Sequence, residues 1–120
     1  MVCGYSNSQT WVVGFQIFYG SPTSESLWLE VEEYLKTTWE HPSGQDLRIT
    51  RSFIDSGYET GAVYNFCRKL ESLGVRAIKG VGGSNRAEIG RPTKNNTSRC
   101  NVFPLGVNTL KTQILARLKI

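Results

Sequence analysis

The residue most suited to take part in chemistry is Asp55. It follows an apolar stretch and precedes a serine and a glycine in Ile54-Asp55-Ser56-Gly57. A carboxylate at the carboxyl end of a parallel strand lies where open α/β sheets hold their ligands. Carboxylate oxygens are also ligands that Mg²⁺ prefers in proteins. An aspartate here could equally cap the helix that follows. The pattern alone leaves both interpretations open.

Glycines and cations follow Asp55 in the chain. The glycines of Gly80–Gly83 could cradle a phosphate, but neither the P-loop pattern nor the dinucleotide fingerprint is present, so a flexible loop is favoured. The polar segment 80–99 reads as a long exposed loop, and cations there and beside it could contact DNA phosphates. A solvated loop is the alternative. The candidate DNA-binding residues are Lys79, Arg86, Arg91, Lys94, Arg99 and Lys111.

The segments around Asp55 predict a strand, a helix and a second strand. Leu47–Ile54 forms the first strand, and its apolar residues before Asp55 indicate a buried strand. Ser56 and Glu59 have the spacing of a capping box, and the helix should run to about Leu73 before Gly74 ends it. Val75–Lys79 then gives a short strand. Such a βαβ unit should have parallel strands.

Other elements are predicted on either side of this unit. Trp11–Tyr19 alternates as a strand, and a helix begins near Ser26. Val102–Val107 gives another strand, in which Pro104 indicates an edge or a bulge, and a last helix runs from about Thr109 towards Leu118.

Composition limits the classes of function. The 120 residues fit one domain, and a net charge of +4 mildly favours a polyanionic partner. Cys3, Cys67 and Cys100 are too widely spaced for a zinc site with the lone His41, so free thiols are expected, with Cys67 in the core. No run of residues is long and apolar enough to span a membrane.

Taken together, these motifs resemble the nuclease domain of GpA-type phage terminase large subunits. The strongest matching segment is Ile54-Asp55-Ser56-Gly57-Tyr58, and the order and spacing of the remaining segments make the resemblance specific across nearly the whole chain. Those segments are Trp11-Val12-Val13, Gly20-Ser21-Pro22, Leu27-Trp28, His41-Pro42-Ser43-Gly44, Leu47-Arg48-Ile49, Val63-Tyr64, Phe66-Cys67-Arg68, Ala77-Ile78-Lys79-Gly80, Gly90-Arg91-Pro92, Leu105-Gly106-Val107-Asn108-Thr109 and Arg117-Leu118.

The resemblance implies an α/β fold with an RNase H-like (RuvC-like) mixed sheet flanked by helices. It also implies an endonuclease that uses Mg²⁺ or Mn²⁺ held by a cluster of acids, one of which would be Asp55. Its implied partners are double-stranded DNA, the terminase small subunit and the portal or procapsid, with no membrane. Its implied location is the cytoplasm of the bacterial host.

The sequence departs from the family's pattern in its acids. We expect residues 1–120 to be a partial nuclease domain, incomplete at both ends, that lacks the family's first catalytic strand and its C-terminal acidic segment. Asn108 and Thr112 also stand where the family usually has acids. One aspartate holds Mg²⁺ poorly, so we expect little or no nuclease activity from this chain alone unless other acids, such as Asp46 or Glu59, complete the site.

Two other functions remain open at this stage. The chain could be a non-enzymatic prophage remnant or DNA-binding module that uses the basic loop 80–99. It could also be a small nucleotide-binding protein that uses Gly80–Gly83, an interpretation that titration with ATP and GTP would test. Coding for the missing strand next to this reading frame would favour a fragment of an active enzyme over a remnant.

Overall fold

The computed structural model describes residues 1–118 and divides into two compact units, residues 1–49 and residues 50 onward. The first unit contains two antiparallel hairpins and a helix. Strands β1 (Val2–Ser6) and β2 (Gln9–Gly14) pair in one hairpin, helix α1 spans Glu25–Leu35, and β3 (Thr38–Glu40) pairs with β4 (Asp46–Arg48) in the other. No residue of 1–49 is fully buried.

The second unit is built on a four-stranded sheet with the order β5-β6-β8-β7. Its strands are β5 (Ser52–Asp55), β6 (Val75–Val81), β7 (Thr93–Lys94) and β8 (Asn101–Gly106). Strands β5, β6 and β8 are mutually parallel, and β7 lies antiparallel to β8. Helix α2 (Thr60–Lys69) and a 3-10 turn (Glu71–Leu73) connect β5 to β6, and α3 (Val107–Arg117) follows β8.

The core of the second unit lies where α2 packs on β5 and β6. The helix contributes buried Val63, Phe66 and Cys67, and the sheet contributes Ala77 and Val102, which are neighbours in the strand register. This arrangement confirms the predicted α/β class, the parallel βαβ unit and the core position of Cys67. Gly74 ends the 3-10 turn with φ +81, as expected for a left-handed stop residue.

Several predicted boundaries were wrong. The predicted strand Leu47–Ile54 is two strands, β4 and β5, which belong to different units. The predicted strand Trp11–Tyr19 ends at Gly14, and β1 and β3 were not predicted from pattern. The apolar residues Ile114 and Leu115 of α3, and Leu118 directly after it, are exposed.

The segment 80–99 is less irregular than predicted. Strand β6 continues to Val81, Ile89 forms an isolated bridge with Leu105, and β7 pairs with the start of β8. Pro104 is in β8, the second strand from the edge, where β7 pairs only with Asn101 and Val102. The missing proline N–H therefore does not interrupt that pairing.

Candidate functional site

Asp55 is the last residue of β5 and is exposed at the carboxyl edge of the parallel sheet, as predicted. Its Oδ1 accepts a hydrogen bond from the Gly57 N–H at 3.1 Å, so the carboxylate closes a turn that precedes α2. Helix α2 starts only at Thr60. Asp55 is therefore not its N-cap, and its second oxygen, Oδ2, remains available to a ligand.

Ser56 anchors this turn to the neighbouring strand. Both its N–H and its hydroxyl donate to the Ile78 carbonyl, at 2.9 and 2.8 Å, and the residue is 1% exposed. The predicted capping box between Ser56 and Glu59 is therefore wrong, because the serine hydroxyl is committed to β6. Glu59 is itself the N-cap residue, with φ +47 and no side-chain capping bond.

The strand before Asp55 is not buried as predicted. Strand β5 is at the edge of the sheet, and Phe53 is 56% exposed. Gly57 is not required for space either, because an added Cβ would lie 3.5 Å from Asp55 Oδ1, an ordinary contact. The position of Asp55 is therefore fixed by the hydrogen-bonded turn at Ser56 and not by a buried strand.

The segment after β6 packs across the end of β8. Arg86 donates from Nε to the Gly82 carbonyl at 2.7 Å, and its own carbonyl accepts from the Thr109 hydroxyl at 2.7 Å. Gly106 lets this segment approach closely, because an added Cβ would collide with the Ala87 carbonyl oxygen. Arg86 is thus held at the same edge of the sheet as Asp55.

The other predicted DNA-binding cations do not all lie at this edge. Lys79 is near the end of β6, and Lys111 is in the second turn of α3, which begins where β8 ends. Lys94 pairs in register with Asn101 at the opposite, amino end of β8, and Arg99 lies two residues before that strand. Arg91 lies between the two ends, next to Gly90, which is bonded to Pro104. The predicted DNA-binding cations therefore lie at different edges of the sheet and do not form one surface.

The donor set around Asp55 does not amount to a complete metal site. Within residues 1–118, no three His, Cys, Asp or Glu side chains gather where they could hold a metal ion. Asn108 stands beside the end of β6, with its Oδ1 3.9 Å from a Cβ added at Gly82, and Thr112 donates to the Asn108 carbonyl. These neutral groups add no anionic ligand to Asp55.

Two of the three thiols are buried, and the histidine lies in a turn. Cys67 and Cys100 are buried free thiols, and Cys3 is exposed. Burial raises the pKa of Cys67 to about 12, with a further increase from Cys100 and an opposing effect of Arg76. His41 Nδ1 is 2.7 Å from the Ser43 hydroxyl in the exposed β3–β4 turn. In the described part of the chain, no helix is long and apolar enough to cross a bilayer.

A family model for the endonuclease domain of the terminase large subunit gpA matches residues 1–120. The chain belongs to this family. Membership supports a nuclease role in phage DNA packaging, and the mixed α/β sheet with three helices fits a nuclease domain. A search of curated proteins and a search of solved structures returned no match.

Two arginines at the starts of parallel strands were not predicted from the sequence. Arg51 comes directly before β5, and Arg76 is the second residue of β6. With Arg99 before β8, each parallel strand has an arginine at its start. Once the strands are assigned as parallel, the arginines at their starts can be predicted to share one edge of the sheet.

Proposed function

We propose that this terminase domain is a metal-dependent DNA endonuclease in which Asp55 provides one ligand to Mg²⁺ or Mn²⁺. The observation that carries the proposal is the position of Asp55, an exposed carboxylate at the carboxyl end of a parallel strand, in a chain that matches the family over residues 1–120. The free Oδ2 of its anchored side chain suits a metal ligand.

The proposal extends to fold, partners and location. An RNase H-like sheet is supported by family membership and by three parallel strands with an acid at the end of one. The substrate is double-stranded DNA, and Lys79 and Arg86 contact its phosphates near Asp55. The domain works with the terminase small subunit and the portal or procapsid, in the cytoplasm of the bacterial host.

Because no three acidic, histidine or cysteine side chains gather around Asp55 among the described residues, metal binding by the chain alone should be weak. The direct test is a Mn²⁺ titration followed by paramagnetic broadening of backbone amide signals. We expect the amides of 55–57 to broaden first in the wild type and to stay sharp in Asp55→Asn. Asparagine keeps an Oδ1 acceptor for the Gly57 N–H, so the turn should survive this substitution.

The control is Glu59→Gln, which removes a nearby carboxylate but leaves Asp55 in place. It should keep the wild-type broadening. The metal assignment fails if Asp55→Asn broadens as the wild type does, or if broadening centres on the acidic residues of α1.

The expected low activity has its own test, which is nicking of supercoiled plasmid in Mn²⁺. We expect little nicking by the chain alone. Nicking that disappears in Asp55→Asn would contradict this expectation and would show that another acid, such as Glu59, helps to complete the site.

A binding-only role is the second candidate. It is favoured by the cations Arg91, Lys94 and Arg99, none of which has a carboxylate partner among the described residues. A binding module of this kind predicts DNA binding without any metal effect at Asp55. Binding with no Mn²⁺ broadening at 55–57 would therefore favour it over the nuclease.

A further inference from the structure

Cations collect at the amino edge of the parallel sheet, the edge opposite Asp55. Six of the eleven Lys and Arg residues of 50–118 lie there, but only one of the four acids, Glu71. We call the following residues the amino-edge cluster: Arg51, Arg68, Lys69, Arg76, Lys94 and Arg99. They come from five separate elements or loops, so the cluster exists only in the folded unit.

Hydrogen bonds and close contacts join most of these residues into one region. Arg76 Nη1 donates to the Glu71 carbonyl at 2.7 Å, and Arg51 Nη1 would lie 3.2 Å from a Cβ added at Gly74. Arg68 Nη1 reaches the Ser98 carbonyl at 3.3 Å, which ties the end of α2 to the loop that carries Arg99.

The strand β7 brings Lys94 into the same region. Lys94 is paired with Asn101, whose side-chain amide donates to Glu71 Oε1 at 2.9 Å. The single acid of the region thus accepts a hydrogen bond from a neutral amide. Its charge offsets only one of six positive charges.

Most members of the cluster have N–H donors that make no hydrogen bond to the protein. Among the described residues, Arg51, Arg68, Arg76, Lys94 and Arg99 form no ion pair. The three arginine side chains with recorded hydrogen bonds direct them to backbone carbonyls, which leaves most of the five guanidinium N–H groups of each free for a ligand. All members except the half-buried Arg76 are exposed.

The chemistry of this surface suits a chain of phosphates. Guanidinium groups bind phosphate oxygens with two donors each, and several of them spread over one surface match a repeating polyanion better than a single small anion. We propose that the amino-edge cluster is a second DNA surface, which binds the phosphate backbone of a segment other than the one presented to Asp55.

The two DNA segments must differ because the two edges face opposite directions along the strands. Strand β6 has seven residues, so its ends are separated by about 20 Å at about 3.3 Å per residue. A duplex laid across the carboxyl edge therefore does not also cover the amino edge. The surface requires no metal at Asp55 and does not depend on the proposed nuclease activity.

The test measures duplex DNA binding by fluorescence anisotropy at several salt concentrations. The variant combines Arg68→Gln, Lys94→Gln and Arg99→Gln, which are exposed and make at most one long hydrogen bond to the protein. If three phosphate contacts are lost, the slope of log affinity against log salt should become shallower by about 2.7. The loss of affinity between 50 and 200 mM salt should then be about fortyfold smaller than in the wild type.

A control with the same charge change separates contact from net charge. It combines Lys36→Gln, Arg48→Gln and Arg117→Gln, all outside the amino-edge cluster, and should keep a slope close to that of the wild type. An equal decrease in the control, or an unchanged slope in the Arg68/Lys94/Arg99 variant, overturns the proposal.

Two further measurements define the partner and separate this proposal from the previous one. Tighter binding of a polyglutamate peptide than of a duplex with the same charge would overturn the assignment to DNA in favour of an acidic protein segment. The Mn²⁺ titration at 55–57 has an independent readout, so a failure there leaves the salt slope to be judged on its own.

Discussion

The two edges of the parallel sheet differ in charge: acids and cations mix at the carboxyl edge, whereas the amino edge is almost wholly cationic. The carboxyl edge holds Asp55, Glu59 and Glu88, three of the four acids of 50–120, while the amino edge holds six cations and a single acid. Parallel strands cause this separation, because all residues that precede strands gather at one edge and all that follow them gather at the other. One sheet therefore places the proposed metal ligand Asp55 and the amino-edge cluster at opposite edges.

The same segregation of charge appears between the two units of the chain. Residues 1–49 have two Lys and Arg against six Asp and Glu, a net charge of −4, whereas residues 50–120 have twelve against four, a net charge of +8. The modest overall charge of +4 hides this difference. A polyanionic partner therefore fits the second unit much better than the average composition indicates.

The largest expected effect comes from breaking the carboxyl edge at Gly106. A valine there would push its Cβ against the Ala87 carbonyl and the Arg86 side chain, so the segment that holds Arg86 must move. We expect Gly106→Val to lower the free energy of unfolding by about 3 kcal/mol, a typical cost of overpacking. Urea unfolding would measure it, and an unchanged midpoint would show that this segment is not packed on β8 as described.

Alkaline pH should weaken the core beneath the amino edge. Burial, and secondarily Cys100, raise the pKa of Cys67 from 9.0 to about 12, against the opposing effect of Arg76. A raised pKa means that the folded state holds the proton more tightly. Cys67 therefore makes its full contribution to the free energy of unfolding below pH 9, and this contribution is lost as the pH rises towards 12.

At pH 10 this loss should be about 1.4 kcal/mol relative to pH 8, because pH 10 is one unit above the pKa of the thiol in the unfolded chain. Urea unfolding of the wild type and of Cys67→Ala at both pH values isolates the effect. The alanine variant lacks the thiol and should lose less stability on going to pH 10. Equal losses in the two proteins would contradict the assignment to Cys67.

The sequence allowed prediction of the helices and of the position of Asp55, because apolar spacing and the Gly74 stop are local signals. It did not allow prediction of the break between β4 and β5. Leu47–Ile54 reads as one strand, yet Arg48 ends one pairing and Ser52 begins another in a different unit. That division depends on which strands are available as partners, and a local pattern contains no information about them.

The amino-edge cluster could not be predicted from the sequence for a related reason. Arg51, Arg68 and Arg99 are far apart in the chain, and only the parallel pairing and the Arg68–Ser98 hydrogen bond bring them together. The basic segment 80–99 was predicted to contact DNA because its cations are close in sequence. The fold sends Arg86 and Lys94 to opposite edges, so closeness along the chain was a poor guide to a common surface.

A smaller effect should follow from loosening the turn that holds Asp55. Ser56→Ala removes the hydroxyl that donates to the Ile78 carbonyl, but the Ser56 N–H still satisfies that carbonyl. We expect a loss of about 1 kcal/mol, the usual net value of one hydrogen bond. Mn²⁺ broadening at 55–57 should also weaken, while the salt dependence of DNA binding through the amino edge stays as in the wild type. A change in that salt slope would show that the two edges are not independent.

The smallest expected effect is a gain in stability from Gly61→Ala at the start of α2. An added Cβ at Gly61 meets nothing within 4 Å, and the residue lies in the first turn of the helix. Alanine restricts the unfolded chain and favours the helix, so the free energy of unfolding should rise by about 0.5 kcal/mol. Urea unfolding is again the measurement. Since Gly106 and Gly61 are both glycines of the second unit, opposite signs for the two substitutions would show that backbone packing at the carboxyl edge, and not glycine content, sets the stability there. A loss of stability in Gly61→Ala would mean that the open space beside α2 is filled in solution.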